Sequence, residues 1–401
     1  MNMKSNFDKA VAIIGGGPSQ LPFLFAAKEE KLKTFVFDRN PSCPAASVAD
    51  CFFPISTHDA DQIVEALVPF RDELVSCFTY SSFYPAQKAV VDVNEYFNLV
   101  GLKSEPLMFA SEKYLFRDKL HEVGLLTPKS VLVKDLSKGK SFASQGKKII
   151  VKPAVGSCGS AGVDLITDPV EDYVRKSKEA SSNSADGSII LEEYIDGVEY
   201  TVDGFVDTEG VKIILVSKKF TLGPEYGFAI NGFISDTEII FNFVANYLTK
   251  IKKAIAAVRL SESFFSFDVI VSGQKIYFID FGCLLDAKID ILMEYAGAPI
   301  YGIPSKIAVG RIEKFGFMSA IDEPIGLRFA YLKDNNNFIR VAGNDLSAHN
   351  GTFSFMCFDN AESVKKPPQS VADSVGAFLS VGDKVKGLWS VPWASDLIYG
   401  C

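Results

Sequence analysis

The sequence predicts an α/β protein that opens on a parallel sheet and closes on a small β-rich unit. Three observations predict it. Strand-like and helix-like segments alternate through the amino-terminal part of the chain, the pattern that right-handed crossovers between parallel strands produce. The tail, from Phe329 on, turns to short strands set off by Gly, Asn and Pro, which reads as antiparallel. The 401 residues are 48% hydrophobic and 22% charged, enough for a full core and, at about 100–200 residues per domain, for two to four units.

In chain order, Ala10–Ile14 (AVAII) is an apolar strand that runs into Gly15-Gly16-Gly17. A helix over Gln20–Lys31 and a strand over Thr34–Phe37, ending at Asp38, follow. These glycines, with Asp38 some way on, invite a dinucleotide-binding reading. The string is GGGPSQ, however, with Gln20 at the third glycine position and a proline inside the turn. A tight turn into a helix is the favoured reading. Leu74–Thr79 reads as a further buried strand and Ala86–Leu99 as a helix. Ser111–Val123 is amphipathic, with Ser111 as its N-cap, and ends at Gly124 with Pro128 beyond. A strand (Lys148–Lys152), a Gly/Ser-rich turn (Gly156–Gly162) and a polar helix (Val170–Asp186) come next. Strands are expected at Ile189–Glu193 and Ile213–Ser217, a helix at Glu238–Val258, and strands at Ser266–Val271 and Lys275–Asp280. In the tail, Phe329–Leu332, Phe338–Val341, Thr352–Phe358 and Lys384–Leu388 read as strands.

Composition removes several functions. The net charge of −8 opposes a nucleic-acid-binding surface, which needs a basic balance. No run approaches eighteen apolar residues, so no membrane span is expected. Asp8 and Lys9 directly precede the first apolar run without a small-residue cleavage site, which argues against a signal peptide. Seven cysteines without a CxxC pair suit free thiols in a reducing cytoplasm. Three histidines, His58, His121 and His349, without HExxH or a Cys/His cluster, argue against a zinc enzyme.

Three segments carry chemistry. In Lys147–Val163 (KKIIVKPAVGSCGSAGV) a strand delivers Lys152 to a glycine- and serine-rich loop whose backbone N–H groups can wrap a polyphosphate. It is no Walker A loop, since the lysine precedes the loop. A lysine at the end of an apolar strand needs an anionic partner, which favours this reading over a flexible turn. In Ile189–Val202 (IILEEYIDGVEYTV), Glu192, Glu193, Asp196 and Glu199 crowd a strand–turn–strand. Backbone groups there match an adenine edge and carboxylates can accept from its amine and the ribose; a solvated edge is the alternative. In Ser266–Asp280 (SFDVIVSGQKIYFID), a hairpin brings Asp268 opposite Asp280. Two such carboxylates suit Mg²⁺, with phosphate oxygens completing the shell; two unrelated surface aspartates are the alternative.

In this order the segments resemble the ATP-grasp superfamily, in particular its carboxylate–amine ligase branch with the biotin-carboxylase and carbamoyl-phosphate-synthetase domains. The likeness runs from about residue 10 to about 310 and more loosely through the tail. AIIGGGPSQ and FVFDRNP resemble a pre-ATP-grasp domain, which accounts for the Rossmann-like start. SEKYLFRDKLHEVGLLTPKS is similar to the opening helix whose lysine, here Lys113, reaches nucleotide phosphates. IIVKPAVGSCGSAGV matches the lid strand with its lysine, Lys152, and the loop carrying Ser157, Gly159 and Ser160. EEYIDGVEY matches the hinge. Positions like Glu193 and Ile195 bind adenine through the backbone, one like Glu192 accepts from its amine, and one like Glu199 holds the ribose. Asp268 and Asp280 fall at the magnesium-binding carboxylates.

One departure stands out. The family pattern at the second carboxylate is E-x-N-x-R; here DFGCL puts Gly282 and Leu284 at the Asn and Arg positions. Lys288 or Asp286, or Lys218 or Lys219 on a facing strand, are the substitutes, and Lys288 and Lys218 are assigned the catalytic positions. The resemblance implies a pre-ATP-grasp domain (1–104), an ATP-grasp domain with a mobile lid (105–312, lid about 130–197) and a β-rich carboxy-terminal domain (313–401). It implies ATP and Mg²⁺ (or Mn²⁺) as cofactors. The implied reaction joins a small-molecule carboxylate to an amine through an acyl phosphate, in the cytoplasm, without nucleic acid or membrane; a monomer and a homodimer both remain open. A carboxylase- or kinase-like enzyme and a degenerate regulatory nucleotide binder are the alternatives.

Overall fold

The computed structural model describes residues 8–144, 148–156, 160–169, 171–286, 289–295, 297–311, 323–331, 354–357, 373–374 and 376–389. Strands β1 (Ala10–Ile14), β2 (Lys33–Phe37), β3 (Cys51–Phe53) and β4 (Leu74–Phe78) form a parallel sheet in the order β3-β2-β1-β4. Every residue of β1 is buried, as expected of a central strand covered on both faces. Helices α1 (Leu21–Glu29) and α2 (Ala60–Leu67) make the β1–β2 and β3–β4 crossovers, and α3 (Tyr84–Tyr96) follows β4. The glycine turn is structural. Asp38 accepts from the Gly16 N–H and the Asn40 N–H, each at 2.9 Å, so its carboxylate is spent within the turn. Buried Gln20 accepts from the Tyr80 N–H at 2.9 Å and ties the ends of β1 and β4 together.

The segment expected as one helix from Ser111 is two. Helix α4 (Ser104–Ser111) ends on Ser111, whose hydroxyl donates to Met108 O, and α5 (Lys113–Glu122) starts anew after Glu112. A serine hydroxyl can satisfy its own helix's carbonyl instead of capping the next.

Strands β5 (Ser130–Val133), β6 (Ile149–Pro153), β7 (Asp164–Ile166) and β8 (Ile189–Glu193) form a second, antiparallel sheet in the order β5-β8-β6-β7. Helix α6 (Lys140–Ala143) and helix α7 (Asp172–Ser182) accompany it. Its Ile149, Val151, Ile189 and Leu191 pack with Tyr173 and Ala180 of α7 into a core of their own. Ile150, Lys152, Ile190 and Glu192 therefore line the opposite face, because side chains alternate.

A third sheet holds the remaining described strands. They are β9 (Val198–Asp207), β10 (Gly210–Thr221), β11 (Ile230–Ser235), β12 (Phe264–Ser272), β13 (Lys275–Gly282), β14 (Ile325–Ala330), β15 (Ser354–Cys357) and β16 (Gly376–Val381). The order is β13-β12-β9-β10-β11-β14-β16-β15, all antiparallel. The tail strands thus continue the central sheet through the β11–β14 pairing. The expected strand at Lys384–Leu388 is instead a 3₁₀ helix over Gly382–Trp389; Gly382, at φ +68°, starts it with a backbone that side-chain-bearing residues avoid. Phe338–Val341 lies outside the described residues.

Helix α8 (Thr237–Ala257), capped by Asp236 on the Ile239 N–H at 2.6 Å, covers one face of this sheet. Tyr200 meets Phe243 of α8 at 5.4 Å between ring centroids. Short helices α9 (Ile289–Tyr295) and α10 (Ile303–Ala308) lead toward the tail. No helix among the described residues is long and apolar enough to cross a membrane.

Candidate functional site

Two halves meet at the end of β6. The Lys113 N–H donates to Ala154 O at 3.2 Å, the Gly156 N–H donates to Ser111 O at 3.0 Å, and Glu112 bridges Val155. The start of α5 is thereby fastened to the strand that carries Lys152. Arg117, one helical turn after Lys113, shares its side of α5. The result is a buried charge cluster. Glu192, 2% exposed, takes Lys152 Nζ at 2.6 Å and the Arg117 guanidinium at 2.6 and 2.9 Å. Arg117 also donates to Ile279 O. Lys113 lies 3.8 Å from Asp280.

The central sheet supplies the other half on the face away from α8. Register places Asp268 opposite both Thr201 and Asp280, and Thr201 opposite Ser217. Directly paired antiparallel residues point to one side, so Glu199, Thr201, Asp203, Lys219, Asp268 and Asp280 share a face. Lys219 is the hub. Its Nζ is 2.7 Å from Asp268, 3.0 Å from Asp286 and 4.0 Å from Glu199. The Thr201 hydroxyl donates to Asp268 at 2.6 Å, with Asp286 3.1 Å away. Lys218, expected here, pairs in register with Tyr200 on the α8 face. The alternation of a strand assigns the position to Lys219 and removes Lys218 from it.

Electrostatics divides the paired aspartates. Burial works against the charge of Asp280, but Lys113, then Lys152 and Arg117, hold its carboxyl below the usual range. Glu192 is likewise held low by Arg117 and Lys152 in spite of burial. Asp268, Asp203 and Glu199 go the other way. Burial raises all three, with Asp286 or Asp268 adding repulsion, and Glu199 is pushed up to about 7. Burial works against the Lys219 ammonium, yet Asp268, Asp286 and Glu199 raise it well above its ordinary value. At an effective dielectric constant of 20, two charges 4 Å apart interact by about 4 kcal/mol. A single ammonium among these carboxylates leaves anionic excess. Hard oxygen donors in excess suit a divalent cation such as Mg²⁺.

The other expected residues fall as follows. The Glu193 N–H donates to Lys129 O at 2.9 Å and the Tyr194 N–H to Lys148 O at 3.0 Å, so both serve the lid sheet; Ile195 follows beyond β8. The Ser160 hydroxyl donates to Phe228 O at 3.0 Å, linking the lid loop to the β10–β11 connection. Ser157, Gly159 and Lys288 lie outside the described residues. Leu284 lines an apolar cavity of about 40 Å³ with Phe23, Cys77, Phe264 and Cys283. Sequence reasoning missed Arg117 and Asp203. The i, i+4 spacing from Lys113 is a signal for the first.

Fold and cleft together define a two-sheet clamp, cations along one jaw and carboxylates along the other. Residues 145–289 match the profile of the ATP-grasp domain. It is similar to the carbamoyl phosphate synthase large chain of Clostridium perfringens strain 13, 22% identical over 336 residues. That match takes in 78% of this chain and 30% of that one, so the chain spans about a third of its relative's length. The L-amino acid ligase of Bacillus licheniformis has a similar fold, with a TM-score of 0.73 at 17% identity over 98% of this chain and 97% of that one. So does the biotin carboxylase domain of the 2-oxoglutarate carboxylase of Hydrogenobacter thermophilus, solved as a dimer with MgADP and bicarbonate. It gives a TM-score of 0.68 at 12% identity, over 92% of this chain and 85% of that one.

Proposed function

We propose that the chain is an ATP-dependent ligase that joins a carboxylate to an amine and releases ADP and phosphate. The observation that carries this reading is one cleft holding Lys113 and Lys152 on one side and Asp268 and Asp280 on the other. In this reading adenine lies against Ile150 and Ile190 of the lid and its ribose at Glu199. Lys113 and Lys152 meet the phosphates; Lys152 turns to them from Glu192, which Arg117 keeps paired. Asp268 and Asp280 are the residues that would hold Mg²⁺, which when bound neutralises phosphate charge. A carboxylate oxygen of the substrate attacks the γ-phosphorus and ADP leaves. The amine substrate, an ammonium in solution, gives one proton to water; its nitrogen then attacks the acyl carbon, the phosphate leaves, and the nitrogen gives its second proton to the departing phosphate. Lys219 is the cation best set to steady the acyl phosphate where the family pattern has arginine and this chain has Leu284. Lys288 remains a proposed second cation, and Ser157, Gly159 and Ser160 the proposed phosphate loop. We place unit boundaries near residues 104 and 312.

The test is phosphate release from ATP and Mg²⁺ with paired amino acids and sugar acids. Oxygen-18 in the substrate carboxylate is expected in the released phosphate, because the γ-phosphate departs with that oxygen. Amide formed without transfer of label, or formation of AMP, overturns the acyl-phosphate route. Nucleotide binding without turnover on any pair supports a regulatory nucleotide binder instead.

A further inference from the structure

Beyond Asp268, the carboxylate face of β9 continues to Asp203, which the chemistry above does not use. Asp203 is fully buried. Its Oδ1 accepts from the Asp286 N–H at 2.8 Å, and the Ser266 hydroxyl neighbours the carboxyl. Its Oδ2 has no hydrogen-bond partner among the described residues. Burial and the neighbouring Asp286 work against the charge of this carboxyl, so a cation brought against Oδ2 would both supply its missing donors and favour its ionised form.

Register shows from where. Asp203 pairs with Ser266 and Ser266 with Gly282, so the three form one row on the site face. Gly282 leaves its end of the row open: a Cβ there would meet nothing closer than Leu284 O at 3.7 Å. The phenol of Tyr80, from the end of β4, stands in the same field. Burial, then Asp290, Asp203 and Asp286, keep it protonated, a donor. Asp203 also lies two residues past Thr201, about 7 Å farther from the hinge at the strand rise of about 3.4 Å per residue. With adenine at the hinge and phosphates at the level of Thr201 and Asp268, this is the acceptor end of the cleft.

We propose that Asp203, Ser266 and the open space over Gly282 form the subsite for the ammonium group of a primary amine substrate. An ammonium brings three donors. The row offers the Asp203 carboxylate, the Ser266 hydroxyl and the Leu284 carbonyl as acceptors. Gly282, without a side chain, leaves its end of the row clear for the group to enter. The assignment of this ammonium to the reaction rests on the ligase reading above; the binding itself does not.

The test uses the full chain and n-butylammonium as probe, followed by saturation-transfer NMR, with a fluorescent ATP analogue titrated in parallel. Wild type is expected to bind butylammonium but not butyrate, and Asp203→Asn to weaken it at least tenfold while keeping nucleotide affinity. Gly282→Ala, which fits without collision, fills the space and is expected to weaken the probe without removing charge; it decides the matter if Asp203→Asn does not fold. Equal probe binding by wild type and the folded variants overturns the subsite, as does no probe binding by a wild type that binds nucleotide. Loss of Mn²⁺ relaxation in Asp203→Asn with probe binding intact overturns it in favour of a metal position. A wild type that binds the probe but no nucleotide leaves the subsite standing and overturns the ligase reading instead.

Discussion

Glu192 is the residue on which the lid's charge balance turns, since it holds two cations at once. Lys152→Met keeps the aliphatic stem and leaves Glu192 paired with Arg117, so the fold should survive. Nucleotide affinity should fall about a hundredfold, the scale of one preorganised electrostatic contact. Titration of a fluorescent ATP analogue checks this, and an unchanged affinity returns Lys152 to a purely structural role. Glu199 gives a pH test. Its carboxyl is raised to about 7 in the fold from an ordinary 4.5, so the native state binds the extra proton between those values. By linkage, stability from this group is full below about 4.5 and lost as pH rises through 7. Glu199→Gln should therefore leave the melting temperature unchanged at pH 4 and raise it at pH 8 without divalent cations. Thermal melts at both values measure it; an equal shift at both removes Glu199 from the titrating cluster.

At the level of elements, the joint between lid strand β8 and core strand β9 is tight. A Cβ on Gly197 would lie 2.5 Å from the Val271 carbonyl oxygen and 2.7 Å from an Ile270 methyl. Backbone cannot yield cheaply, so Gly197→Ala must push the hinge off β12. A loss of about 1–3 kcal/mol is expected, the usual range for overpacking, together with weaker nucleotide binding, because the hinge residues move with it. Urea unfolding and nucleotide titration on the same variant test both halves. If neither changes, the loop has slack to absorb a methyl group. Helix α5 carries the complementary lesson. It reaches the lid through Arg117 and the core through Lys113, so one short helix couples both jaws of the cleft.

For the whole molecule, stability should depend on what lies between the sheets. A ligand that binds only the folded state adds about 2.7 kcal/mol at a hundred times its dissociation constant. ADP is expected to raise the melting temperature, and Mg²⁺ to raise it further in wild type. In the Asp268→Asn, Asp280→Asn double variant the ADP shift should persist while the Mg²⁺ increment disappears. An undiminished Mg²⁺ increment would take both aspartates out of the metal site.

By itself the sequence determined many of the strands and helices, because periodicity, caps and turn residues act within a few positions, but not the helix break at Glu112 or the 3₁₀ helix over Gly382–Trp389. The run Ile189–Glu193 is a strand to the residue; Lys152, Asp268 and Asp280 were singled out from their places on the strands, and Lys113 from the resemblance to a known family. Only the tertiary structure decided which charges meet. Lys219 enters the site and Lys218 does not because of the face each takes on β10. Irregularities at Ile213/Leu215 and Asp268/Val269 shift the pairing, and such a shift re-aims side chains without leaving a local mark. Arg117 finds Glu192, and Asp203 is left with an unmatched oxygen, through registers fixed by burying the α5 and α8 faces. Those are contacts between segments far apart in the chain, and no local pattern carries them.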